Sequence, residues 1–125
     1  MIKFRAWHHK HEVMYPVRAI DLALEYITVL EYDLFDFEDV ELMQSTGLKD
    51  KNDVEIFDGD IVVNHVGDVW VITYFRGAFR YCPIESYSKE KEKQFETDNI
   101  GNFGTEAFEV IGNIYEDTEW RINYV

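Results

Sequence analysis

ELMQSTGLKDKNDVEIFDGDIVVNH, residues 41–65, holds the pattern that decides the fold. Thr46-Gly47 and Lys49-Asp50-Lys51-Asn52-Asp53 are turn chemistry. Glycine accepts positive φ at no steric cost, and Asn and Asp bond their own backbone and tolerate the left-handed region. Leu48, a lone apolar residue between the two clusters, is expected to turn inward as a plug. Val54, Ile56 and Phe57 resume apolar character before Asp58-Gly59-Asp60, a second tight turn in which Asp60 is expected to accept backbone N–H bonds. From Ile61 the run IVVNH is β-branched and bounded by turn residues, which predicts a strand. A turn, a short extended piece, a Gly-Asp turn and a strand are how many small barrels open their first wall.

Upstream, Ile2, Phe4 and Ala6 alternate with Lys3, Arg5 and Trp7, a period of two that predicts an opening strand. His8-His9-Lys10-His11 follows as a polar turn, and Val13-Met14-Tyr15 as the return strand, stopped by Pro16. Three histidines in one short turn could be a metal site, but such residues seldom converge on one ion without a fixed outer shell of partners. The favoured expectation is an exposed hairpin tip with solvated imidazoles and no bound metal. From Ile20 to Leu34 the even positions read Ile, Leu, Leu, Tyr, Thr, Leu, Tyr, Leu, which suits one or two strands with an acidic outer face. Ile20, Ala23, Leu24, Ile27 and Leu34 also fall near one helix face. The Ile-Thr-Val run and the abundant aromatics favour strand. Leu34-Phe35 breaks the alternation, where a bulge or turn is expected.

Downstream, Ile61 to Val63, Val69 to Phe75 and Ala78 to Cys82 make three strands, joined by Val66-Gly67-Asp68 and Arg76-Gly77. Trp70, Ile72 and Tyr74 fall on one face of the second; Val69, Val71, Thr73 and Phe75 take the other. Two apolar faces mean that one covers the core and the other meets another chain or another segment of this one. Ser86 to Asn99 is polar and reads as a loop or short exposed helix inserted between strands. FEVIGNIYE, from Phe108, gives the closing strand, with Gly112 marking a bulge. Trp120, Ile122 and Tyr124 keep period two and suit a last edge strand.

With 125 residues, 46% of them hydrophobic and 16% aromatic, the chain can bury roughly two-thirds of its unfolded surface as one domain. No apolar run approaches the ~20 residues that span a bilayer. MIKFRAWHHKH is charged and lacks the apolar stretch of a signal peptide, so the expected compartment is the cytoplasm. Cys82 is the only cysteine, which excludes an intrachain disulfide and a multi-cysteine zinc site. Its neighbours Tyr81 and Pro83 suit an inert core thiol rather than a nucleophile. Twelve Lys and Arg against 25 Asp and Glu give a net charge of −13. Such a field repels phosphate backbones and disfavours ordinary nucleic-acid binding. The charge is uneven: Asp21 to Glu41 holds eight acidic residues and no Lys or Arg, whereas Lys3, Arg5, Lys10 and Arg18 face a single Glu12 in the first hairpin.

Three stretches carry a family resemblance. ELMQSTGLKDKNDVEIFDGDIV is similar to the signature of the YopX family, small proteins found mainly in bacteriophages and integrated prophages. IKFRAW at Ile2 to Trp7, followed by Met14-Tyr15, and FEVIGNIYED at Phe108 to Asp117 match in the right order. The resemblance implies a mainly β fold: an SH3-like barrel with an N-terminal β-hairpin extension and a short helical or loop insertion. It brings no activity with it. The expected plan is a single domain over 1–125, with N-terminal strands over 1–42, the barrel over 43–117, its insertion near 85–104, and a terminal segment over 118–125. The family usually places Asn-Gly where this chain has Asn52-Asp53, so here Asp must take the less comfortable conformation of that hairpin turn. The ending WRINYV also departs from the short leucine-rich tail of the family.

No nucleotide-binding loop, triad spacing, cysteine–histidine ligand set or helical metal pair occurs in the sequence. Glu38-Asp39 and the pair Asp58 and Asp60 read as solvated or turn-capping carboxylates, since general acid–base work needs a cleft that drives two pKa values apart. The expectation is a non-enzymatic phage or prophage accessory protein, without a cofactor or small-molecule substrate, acting through a protein partner or as a homo-oligomer. The alternative is nucleic-acid-related: weak binding by the basic hairpin, or DNA mimicry by the acidic surface.

Overall fold

The computed structural model describes residues 3–30, 33–87, 98–99 and 105–116. Among them there is no α-helix, and the chain divides after Ser45 into two compact β units.

In residues 1–45, β1 (Phe4–His8) and β2 (Val13–Pro16) form the expected hairpin, with Ala6 opposite Tyr15 and His8 opposite Val13. The first half of β6 (Val40–Lys49) lies on the other side of β1, pairing His8 with Val40 and Phe4 with Gln44. A second, three-stranded antiparallel sheet runs β3 (Ala19–Asp21), β4 (Tyr26–Thr28), β5 (Leu34–Asp36). The strand preference over 20–34 holds for β3, β4 and the start of β5, while the inward face expected of the even residues is not kept beyond Ile20. Residues 22–25 are a turn in which Asp21 Oδ1 accepts the Leu24 N–H at 2.9 Å and Glu25 takes φ 57°. That insertion shifts the inward phase from even to odd residues. Ile27 and Val29 are fully buried with Ala6 and Val40, while Leu22 and Leu24 stand in solvent. Each fully buried aliphatic of this kind stabilises by about 1.5–3 kcal/mol.

In residues 46–125, β6 continues through Thr46-Gly47 without turning; Gly47 takes φ 78° inside the strand. Leu48 is exposed rather than a plug, because the strand runs on and the chain reverses only at Asp50. There Asp53 N–H donates to Asp50 C=O and Asp50 N–H to Val54 C=O, with Asp53 at φ 66°. This is a turn followed by a left-handed residue, a position that favours glycine and that Asp fills here. β7 (Glu55–Phe57) pairs back on β6. After Gly59, at φ 90°, the meander β8 (Asp60–Val63), β9 (Val69–Phe75), β10 (Ala78–Pro83) follows close to the expected bounds. Arg76 and Gly77 both take positive φ, 52° and 80°, as the tight hairpin between β9 and β10 requires.

β11 (Asp98–Asn99) extends the sheet beyond β10, and β12 (Glu109–Asn113), preceded by a 3-10 turn at Thr105–Ala107, returns to pair with β8. The order β11-β10-β9-β8-β12 is four sequential strands with the last returning beside the first. That is the SH3-like arrangement, curled here into a half-barrel. The register of β12 slips between Val110 and Gly112, the expected bulge. Both faces of the meander are covered by this chain. Ile72, Val62 and Tyr81 pack with Ile56 and Phe108 on one side, and Val71 and Ile61 with Ile84 and Ile114 on the other. Of the polar insertion, a 3-10 turn at Ile84–Ser86 and β11 are seen; 88–97, the Gly101-to-Gly104 loop and the terminal segment over 118–125 lie outside the described residues.

Candidate interaction surface

The histidines of the first hairpin do not sit together as one group. His8, the last residue of β1, points inward and is buried. Its ring stacks on His11 with centroids 3.6 Å apart and planes 10° from parallel. The His11 backbone N–H donates to His8 Nδ1 at 3.0 Å, which places the His8 proton on Nε2. Phe35 of β5 meets His8 edge-on at 4.5 Å, and Tyr15 Oη lies 3.0 Å from His11 Nδ1. Burial first, then the neighbouring His11, keep the His8 pKa below the ordinary histidine value; Asp39 opposes this more weakly. His9 instead faces solvent and reaches Glu41 at 3.4 Å. At the tip His9 and His11 are exposed, as expected, whereas His8 is buried against His11 and Phe35. Among the described residues no three His, Cys, Asp or Glu side chains gather closely enough to hold a metal ion.

The expected acidic face is real in detail. In the β3–β4–β5 sheet, Ile20, Ile27 and Phe35 stand in one cross-strand row and pack into the core. Strand alternation puts the flanking rows, Ala19–Thr28–Leu34 and Asp21–Tyr26–Asp36, on the opposite face. Tyr26 there has an aspartate directly across on each side. Around this face Leu22, Leu24, Leu30 and Leu34 are 79, 70, 56 and 59% exposed. Among the described residues they are four of the five large apolar side chains more than half exposed, so the sheet concentrates unburied apolar area. Glu25, Asp33, Asp36, Glu38 and Asp39 are exposed around it, and no Lys or Arg ion pair to them is seen among the described residues. Sequence periodicity missed these leucines, because its even-residue alternation over one or two strands put Leu22 and Leu24 on the inner face.

Three of the other aspartates, Asp50, Asp58 and Asp60, accept backbone N–H bonds. Asp60, nearly inaccessible, accepts the Phe57 N–H at 2.8 Å, the capping role expected of it, and Asp58 Oδ1 lies 3.4 Å from the Tyr74 N–H. Glu38 and Asp39 lie in an exposed 3-10 turn. Asp50 carries a role that the sequence did not reveal. It is buried, its Oδ1 accepts N–H bonds from Asn52 and Val54, and its Oδ2 accepts one from Val110, sixty residues on. Burial alone would raise its pKa; the amide donors together outweigh that and hold the carboxyl below its ordinary value. Cys82 is fully buried. Burial, with Glu106 adding to it, lifts the Tyr81 phenol to about 12, so it stays protonated at neutral pH. Of the basic hairpin residues, Lys3, Lys10 and Arg18 are exposed and Arg5 is half-buried.

Strand order, the 3-10 turn before the closing strand and the bulge within it define a mainly-β protein with an SH3-like half-barrel preceded by a hairpin and a small three-stranded sheet. The chain belongs to the YopX family: the profile described as YopX protein matches residues 3–120. Among solved structures it is similar to protein EF1440 from Enterococcus faecalis, at 28% identity over 95% of this chain and 96% of that one, with a TM-score of 0.64. It also shares its fold with YopX from Bacillus subtilis, at 19% identity over 94% and 95% of the two chains, with a TM-score of 0.59. No curated protein sequence matches it.

Proposed function

We propose that this YopX-family protein is a non-enzymatic accessory protein of a phage or prophage that acts in the host cytoplasm through contact with another protein. The observation that carries this reading is the leucine-bearing acidic sheet of residues 19–36. Monomeric soluble proteins seldom leave several large apolar side chains this exposed in one small element, and such surfaces mark interaction sites. The carboxylates around it keep the free protein soluble and supply steering toward a partner. Asp60 and Asp50 accepting backbone N–H bonds, and Tyr81 and Cys82 buried in the core, are consistent with the same reading. Light scattering combined with a crosslinking pulldown from expressing cells tests it. A crosslinked protein that competes with surface modification of residues 19–36 is the expected result. A strict monomer that crosslinks to nothing sinks the reading.

A further inference from the structure

Resting on that reading, we infer that the outer face of the β3–β4–β5 sheet takes a basic, apolar-bearing peptide segment of its partner, receiving a Lys or Arg over Tyr26 between Asp21 and Asp36. The register places these three residues side by side across the sheet. Directly opposed cross-strand residues have Cβ atoms about 4.5–5.5 Å apart, so the two carboxylates flank the phenol ring closely. A cation above that ring gains from the ring face and from both carboxylates at once, and a guanidinium stacks there better than an ammonium. Asp21 Oδ1 is occupied by the Leu24 N–H, which orients the carboxylate while its Oδ2 remains to accept. One strand step pair away, about 7 Å, the Ala19–Thr28–Leu34 row offers an apolar seat. Leu22 and Leu24 in the turn beside the acidic row, and Leu30 beyond the apolar row, extend the contact at both ends.

Charge chooses among occupants. Asp21 to Glu41 carries eight acidic residues and no Lys or Arg. A second copy seated by two-fold symmetry would set this face against itself, carboxylate on carboxylate. Nucleic acid would meet the same repulsion from its phosphates. A cationic amphipathic segment alone satisfies both the carboxylates and the leucines.

The test is fluorescence anisotropy of the full chain with a labelled peptide of alternating Arg and Leu. Oligoarginine of equal charge, a Glu-Leu peptide and a short DNA duplex serve as comparisons. The Arg-Leu peptide is expected to bind most tightly, and Asp21→Asn with Asp36→Asn to weaken it about tenfold. Asn keeps the turn acceptor of Asp21, and circular dichroism checks that the variant folds. Leu34→Ser is expected to weaken the Arg-Leu peptide and leave oligoarginine unchanged. Equal binding of oligoarginine, or variants that bind like the parent, overturns the inference in favour of diffuse charge attraction. Concentration-dependent dimers abolished by Leu34→Ser assign the face to a second copy, and tighter binding of the DNA duplex assigns it to nucleic acid; either overturns the inference. Absence of Arg-Leu binding while crosslinking still captures a partner defeats this inference alone and leaves the protein-contact reading standing.

Discussion

His8 and His11 stack ring on ring, 3.6 Å between centroids, with the His8 Nδ1 held by the His11 backbone N–H. Burial first, and the neighbouring His11 second, disfavour a charge on the His8 imidazole.

The pH dependence follows from that pair. The His8 pKa is lower folded than unfolded, so its contribution to stability is fully present above the unfolded value near 6.5 and is lost as pH falls through the depressed folded value. His11, His9 and Lys10 oppose its charging, and Asp39 favours it. Urea midpoints measured from pH 7.5 down to pH 5 should fall, and His8→Asn, whose side-chain oxygen can replace Nδ1 as acceptor, should flatten the fall. An unchanged slope in that variant would remove His8 as the cause.

Asp50 ties the turn after β6 to β12 through Val110. Asp50→Asn turns an N–H toward a donor or surrenders one acceptor, and should cost about 1–3 kcal/mol at pH 7. Because the folded pKa is depressed, the parent should lose this advantage as pH drops below about 4, where the unfolded carboxyl titrates, and the two proteins should converge in acid. Chemical denaturation at pH 7 and pH 3 gives both values.

Asp53 occupies a left-handed position, φ 66°, that glycine fills without strain. Its exposed ion pair with Lys49, at 3.4 Å, contributes little. Asp53→Gly should therefore stabilise by about 0.5–1 kcal/mol, read as a raised melting temperature. A lowered one would show that the left-handed aspartate is not the strained residue of this turn.

Ile72 lies at the centre of one meander face with no accessible surface. Ile72→Ala should cost about 2–5 kcal/mol, whereas Tyr74→Ala, two residues on and exposed, should cost far less. Similar losses in the two variants would contradict the assignment of this face.

Local chemistry alone located the meander. Arg76-Gly77 and Asp58-Gly59-Asp60 bracket β-branched runs, and those runs became β8, β9 and β10. Gly112 likewise announced the bulge. The leucines at 22 and 24 were misplaced because a period-two pattern cannot register a turn inserted within it, and Leu48 because Thr46-Gly47, read as a turn, lies inside a continuous strand. Across the turn in which residue 25 enters the left-handed region, the inward phase passes from Ile20 to Ile27 and Val29. The charged, leucine-rich surface was visible in sequence as composition, and its Asp21–Tyr26–Asp36 row was not.

What the sequence by itself determined is the β character, the hairpins and the uneven charge, since each arises from residues within a few positions of one another. Only the tertiary structure decided that His8 meets Phe35, that Asp50 meets Val110, and that Tyr26 stands between two aspartates. Those contacts join residues from separate strands, and their partners are chosen by strand register and burial, which no local pattern encodes.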